Sequence, residues 1–190
     1  MLISHKHKFI TIDIPKTGTR TLRESLRPLG VIDVVGQPTQ KNFYQHGSIN
    51  DCERGFKERG WDLENYFKFS IVRNPWERYV SFFVWMKKNH TERAFSMEEI
   101  IKNFPSQDSY LFKNGNLAID MVGQLETMET SFSSFCHKVG IKTPPKLQHL
   151  NKSVNKIHYT EYYTDELINL VAAKEKWVID QFNYNDYKQQ

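Results

Sequence analysis

At 190 residues, 39% of them hydrophobic, the chain is long enough to bury a real core, and a single domain over residues 1–190 is expected. Its 26 Lys and Arg against 22 Asp and Glu leave +4, which suits an anionic ligand but is too weak and dispersed for a nucleic-acid face. Two cysteines, Cys52 and Cys136, exclude a disulfide framework and a cysteine metal quartet, and both are expected as reduced thiols.

His5 and His7 alternate with lysines and read as a solvated tail rather than a metal site. The run Phe9-Ile10-Thr11-Ile12-Asp13-Ile14 is rich in β-branched residues and alternates apolar with polar, a strand buried on at least one face. It is too short for a signal peptide and is broken by Asp13, and no later apolar run reaches membrane-spanning length. A soluble, cytoplasmic protein is therefore expected. Pro15 has no N–H for a ladder and ends the strand. Beyond it come Lys16-Thr17-Gly18-Thr19-Arg20-Thr21, then Leu22, Leu26 and Leu29 on one face of a helix that closes near Pro28 and Gly30.

A strand, a tight turn with glycine and a helix N-terminus leave several backbone N–H groups aimed at one point. Gly18 lets an anion approach the backbone, and the helix end adds partial positive charge. Lys16, the hydroxyls of Thr17, Thr19 and Thr21, and Arg20 supply further donors. The stretch is a candidate phosphate or sulfate cradle, the alternative being an ordinary βα turn with solvent-facing polar side chains. It is not the nucleoside-triphosphate loop GxxxxGK[ST]: the lysine precedes the glycine, and no Gly-Lys pair occurs in the chain.

Ile32 to Val35 reads as a second short strand, followed by Gly36 and Pro38. His46, in Asn42-Phe43-Tyr44-Gln45-His46-Gly47-Ser48, precedes a helix over Asn50 to Arg59 that Gly60 ends. A packed or solvated histidine is the plain reading. His46 is, however, the only histidine between this cradle and Arg73, where a second candidate anion element begins, and an imidazole titrating near neutrality can take a proton from a hydroxyl.

Tyr66 to Val72 is the next strand, and it runs into Arg73-Asn74-Pro75. Asn74 is a suitable N-cap and Pro75 a suitable first helical residue, with Trp76, Tyr79, Val80 and Phe83 as the buried stripe. Arg73 thus stands at the carboxyl end of a strand, where open α/β sheets place ligands, and Ser81 lies off the stripe two turns into the helix. Together they are candidates for a second phosphate; a surface ion pair and a neutral helix position are the alternatives.

Ser96 to Phe104 is a short helix with Ser96 and Glu99 as a capping box. Tyr110 to Phe112 and Ala118 to Leu125, around Asn114-Gly115-Asn116, read as a hairpin or strand pair. Thr130 to Val139 is a helix stopped by Gly140. Thr164 to Phe182 is one amphipathic helix with Leu167, Leu170, Val171, Val178 and Phe182 inward and Trp177 in the core. No carboxylate pair or Cys/His cluster has metal-ligand spacing, so no metal is expected. The fold class is α/β: a P-loop-like three-layer fold with a small central parallel sheet, strands near Lys8, Ile32, Tyr66 and Ala118, flanked by helices.

Pro15 to Leu22, PKTGTRTL, resembles the 5′-phosphosulfate loop of sulfotransferases that use 3′-phosphoadenosine 5′-phosphosulfate (PAPS), and RNPWERYVSFF from Arg73 resembles their 3′-phosphate element. With both in the right order, the chain looks like a carbohydrate-type sulfotransferase, nearest the uronosyl 2-O-sulfotransferases, over Lys8 to Asn89. The resemblance implies sulfuryl transfer from PAPS to an acceptor hydroxyl, with 3′,5′-bisphosphate (PAP) as product and a small molecule or glycan as acceptor. Lys16, Thr17, Gly18, Thr19, Arg20 and Thr21 would hold the 5′ side and Arg73 and Ser81 the 3′-phosphate. His46-Gly47 resembles the family's His-Gly pair that carries the base. Leu147 to Ser153 resembles the loop that closes over the nucleotide, with Asn151, Lys152 and Ser153 as contacts or as plain polar residues. AIDMVGQLE resembles the strand that ends in a glutamate, here Glu126, which would be a partner of the site, an alternative base, or a solvated carboxylate. A metal-dependent kinase and a non-catalytic nucleotide-binding protein are the rival functions.

Overall fold

The computed structural model describes residues 1–29, 46–90, 92–147, 157–185 and 187. In chain order these form β1 (Leu2–Ser4), β2 (Phe9–Ile12), α1 (Thr19–Leu26), α2 (Ile49–Glu58), β3 (Phe67–Val72), α3 (Pro75–Asn89), α4 (Met97–Asn103) and α5 (Asp108–Leu111). There follow β4 (Phe112–Lys113), β5 (Asn116–Leu117), β6 (Met121–Gln124), α6 (Met128–Lys138), α7 (Asp165–Lys174) and α8 (Lys176–Phe182). They fall into two compact units, Met1–Val72 with Ser109–Asn151, and Arg73–Asp108 with Lys152–Gln190. The strand expected at Ile32 to Val35 lies outside the described residues.

The first unit holds a sheet of order β1-β2-β3-β6. Strands β2, β3 and β6 are parallel, so their carboxyl ends share one edge, whereas β1 pairs antiparallel with β2. The α/β expectation stands, with a mixed sheet in place of a wholly parallel one. The N-terminus is not a solvated tail: Leu2 and Ile3 are buried opposite Thr11 and Ile10, and the His5 Nδ1 lies 2.5 Å from Tyr66 Oη. Three residues are too few to show a strand period, and it is the open edge of β2 that recruits them.

Helix α6 covers the sheet through Phe135, which stacks on Phe69 at 4.4 Å and meets Phe9 edge-on at 5.0 Å. Its close approach depends on Gly123 in β6, where a Cβ would lie 2.5 Å from Ser131 Cβ and 2.9 Å from Ile71 Cδ1. Asn114 and Gly115, both with positive φ, close the two-residue β4–β5 hairpin. The strand expected from Ala118 to Leu125 is shorter, and it pairs with β3 rather than with the hairpin. Cys52 and Cys136 are buried free thiols.

In the second unit Asn74 Oδ1 accepts the Glu77 N–H at 3.2 Å, with Pro75 as the first helical residue of α3. The expected stripe of Trp76, Tyr79, Val80 and Phe83 is buried, but so is all of Arg78. The single helix expected over Thr164 to Phe182 is two, α7 and α8, broken at Glu175. That break turns a carboxylate inward to Arg78, which a continuous surface helix would have left in water. Among the described residues, no helix is long and apolar enough to cross a membrane.

Candidate functional site

Strand β2 stops at Ile12, and residues 13–18 carry the chain into α1. Lys16 and Gly18 have φ of +71° and +77° with negative φ at Thr17 between them, an alternation that swings successive N–H groups toward one side. Among the described residues no side chain caps α1, and its first turn holds no acidic residue. The N–H groups of that turn therefore meet no carbonyl within the helix and sit at the positive end of its dipole. At φ +77° any residue but glycine would be strained at position 18, and an added Cβ would also have to displace Leu125 Cδ1, 2.6 Å away. Thr17 Oγ1 donates to the Ile14 carbonyl at 2.9 Å, closing the loop from inside; Thr21 is buried, Lys16 and Thr19 are half-buried and Arg20 is exposed.

His46 comes to the start of this loop. Its Nδ1 lies 2.8 Å from the Asp13 carbonyl oxygen, and because a carbonyl only accepts, Nδ1 carries the proton and Nε2 the lone pair. Burial pushes the imidazole below its ordinary value of 6.5, with the Asp13 hydrogen bond opposing, so the ring is neutral at neutral pH. Asp13 is itself anchored: its carboxylate accepts from the Met1 ammonium at 2.6 Å, Arg23 Nε at 2.9 Å and Thr11 Oγ1 at 2.8 Å. Sequence reasoning treated Asp13 only as an interruption. The available signal was a carboxylate in an otherwise apolar run, which burial forces to find partners.

In the second unit Arg73 follows directly on β3. Its Nη2 and Nε lie 2.5 Å and 3.2 Å from Glu77 Oε2, the ion pair that was its plain reading. Glu77 and Ser81, four residues apart, share a face of α3, and Ser81 is half-buried. The main chain of Arg73 is held by Gln107, whose Oε1 accepts its N–H and whose Nε2 donates to its carbonyl, each at 2.9 Å. Gln107 donates its own N–H to Glu175 Oε2 at 3.0 Å, and Glu175 Oε1 accepts from Arg78 Nη1 and Tyr79 Oη, both at 3.0 Å. Sequence reasoning missed Gln107, Arg78 and Glu175, since a buried polar residue breaks the apolar pattern without announcing its partner.

Glu126 is exposed in the turn after β6, at the carboxyl edge of the sheet. Asn151, Lys152 and Ser153 lie outside the described residues. Among the described residues no group of three or more His, Cys, Asp and Glu is placed to hold a metal ion.

Three comparisons bear on this arrangement. Residues 1–116 match the model of the sulfotransferase family. An uncharacterized protein of Archaeoglobus fulgidus is 27% identical over 87 residues, 42% of this chain and 72% of that protein. The crystal structure of mouse sulfotransferase SULT7A1 complexed with PAP superposes with a TM-score of 0.57 at 13% identity, covering 96% of this chain and 90% of that one.

Proposed function

The chain belongs to the sulfotransferase family, and from that premise we propose that it transfers a sulfuryl group from PAPS to a hydroxyl of a carbohydrate acceptor, releasing PAP. The observation that carries this reading is the uncapped N-terminus of α1 with His46 pinned to Asp13 at the mouth of its loop. The structural likeness to a sulfotransferase that binds PAP supports it. The carbohydrate class rests on the His46-Gly47 pair and its likeness to that of uronosyl 2-O-sulfotransferases.

PAPS supplies sulfur bound to a nucleotide leaving group. The N–H groups of Gly18, Thr19, Arg20 and Thr21, with Lys16, would hold its 5′-phosphosulfate, and Arg73 with Ser81 its 3′-phosphate. Glu77 already shares the Arg73 guanidinium, so it would orient that group for a phosphate rather than vacate it. His46 Nε2 would take the acceptor's hydroxyl proton as the hydroxyl oxygen bonds to sulfur. Lys16 and the loop N–H groups would meet the charge that collects on the oxygen formerly bridging phosphorus and sulfur as that bond to sulfur breaks.

The test is His46→Ala. It is expected to fold and to bind PAP as the parent does, while single-turnover sulfuryl transfer to a saccharide falls by about 10²–10⁴. An unchanged rate per folded molecule would pass the role of base to Glu126. Absence of transfer by the parent from PAPS to saccharide and phenol alike would leave a nucleotide-binding protein.

A further inference from the structure

We propose that Gln107 is a positioning residue for Arg73, and that through it the chain tells a 3′-phosphorylated nucleotide from one without that phosphate. The inference rests on the reading of Arg73 as the 3′-phosphate ligand.

Arg73 occupies a gap in the backbone's regular bonding. The Leu125 N–H pairs with the Val72 carbonyl at 2.8 Å, so the sheet ladder stops one residue short of Arg73, and Pro75 begins α3 only two residues later. The N–H and carbonyl of Arg73 thus belong to neither the strand nor the helix. Gln107, wholly buried, partners both with one side-chain amide, at 2.9 Å each. Two antiparallel bonds to the N–H and carbonyl of one residue hold both peptide planes that flank its Cα, as a neighbouring strand would, and those planes set the direction in which the Arg73 side chain leaves.

The clamp has its own support. Glu175 holds the Gln107 N–H at 3.0 Å and lies 3.5 Å from Gln107 Nε2, which orients the amide with nitrogen toward the Arg73 carbonyl. Arg78 Nη2 donates to the Pro105 carbonyl at 3.0 Å, two residues before Gln107, and the guanidinium lies 4.3 Å over the Phe104 ring. The residues from Phe104 to Gln107 are thus tied to the same buried ion pair. A glutamine that merely satisfied the backbone would do so equally for any residue at position 73. A clamp that aims a guanidinium matters only while the guanidinium is there.

That distinction sets the experiment: equilibrium binding of adenosine 3′,5′-bisphosphate and of adenosine 5′-monophosphate to the parent, Gln107→Met, Arg73→Ala and the double variant. Met keeps the length of Gln without its hydrogen bonds, and Gln107→Asn, too short to reach both groups, serves if Gln107→Met does not fold. Arg73→Ala should weaken the bisphosphate by about tenfold to a hundredfold and leave the monophosphate alone. Gln107→Met should weaken the bisphosphate by about three- to tenfold, again sparing the monophosphate, and should add nothing in the Arg73→Ala background. Equal weakening of both nucleotides, or an undiminished effect without Arg73, overturns the positioning role while leaving Arg73 as ligand. A bisphosphate affinity indifferent to Arg73→Ala overturns both.

Discussion

Lys16 sets backbone against side chain. A lysine at φ +71° sits in the left-handed region, at a cost of about 1–2 kcal/mol that glycine would escape. Strain of this kind persists where the surroundings impose it and a site uses it. Lys16→Gly should therefore raise stability or leave it unchanged while sharply lowering turnover, whereas Lys16→Ala should lose turnover without the relief; chemical denaturation beside single-turnover rates separates the two. His46 carries a pH signature at the same scale. Burial favours the neutral ring, so the acid limb of the rate profile should lie below pH 6.5 and the rate should be flat through neutrality. Between the lowered folded value and the ordinary unfolded one, the unfolded chain binds more protons, so stability falls as pH drops through that window. Urea melts at pH 5 and pH 7 should show a smaller loss for His46→Ala than for the parent.

Among the elements, β6 and α6 show how a structural glycine shapes the sheet edge that ends in the candidate loops. Gly123 has ordinary backbone angles, so its constraint is space alone, with Ser131 on one side and Ile71 on the other. Gly123→Ala must push α6 away or displace Ile71, and overpacking of this degree costs about 1–3 kcal/mol. A shift in denaturation midpoint of that size with unchanged slope is expected; a neutral result would mean that α6 moves freely on the sheet. Helix α1 shows the opposite economy. Among the described residues it has no side-chain cap, worth about 1 kcal/mol, which suits the anion-binding role proposed for its N-terminal donors.

The second unit buries an ion pair where apolar side chains would have served. Arg78 and Glu175 are both wholly buried and lie 3.0 Å apart, 97 residues distant in sequence. Such pairs are often no better for stability than matched apolar residues, yet breaking one by removing a single partner costs about 3–5 kcal/mol. Arg78→Met should accordingly be severely destabilised, and Arg78→Met with Glu175→Leu markedly less so. The double variant nevertheless lacks the acceptor for the Gln107 N–H, so its bisphosphate affinity should stay impaired even where its melting temperature recovers. Parallel recovery of both would make the ion pair a matter of stability alone.

What could be read directly in the chain was local. The run from Phe9 to Leu22, the caps Asn74 and Ser96, and Arg73 at a strand's end each involve residues within a few positions of one another, so spacing and side-chain chemistry mark them without any fold. The tertiary structure decided the rest, and always where partners lie far apart: β1 on the edge of β2, His46 on a carbonyl 33 residues before it, Gln107 on the main chain of a residue 34 positions before it, and the break in the C-terminal helix at Glu175. A polar pair of that kind leaves no periodic trace. Each partner alone resembles a surface residue, and the pairing gains its worth only when folding removes both from water.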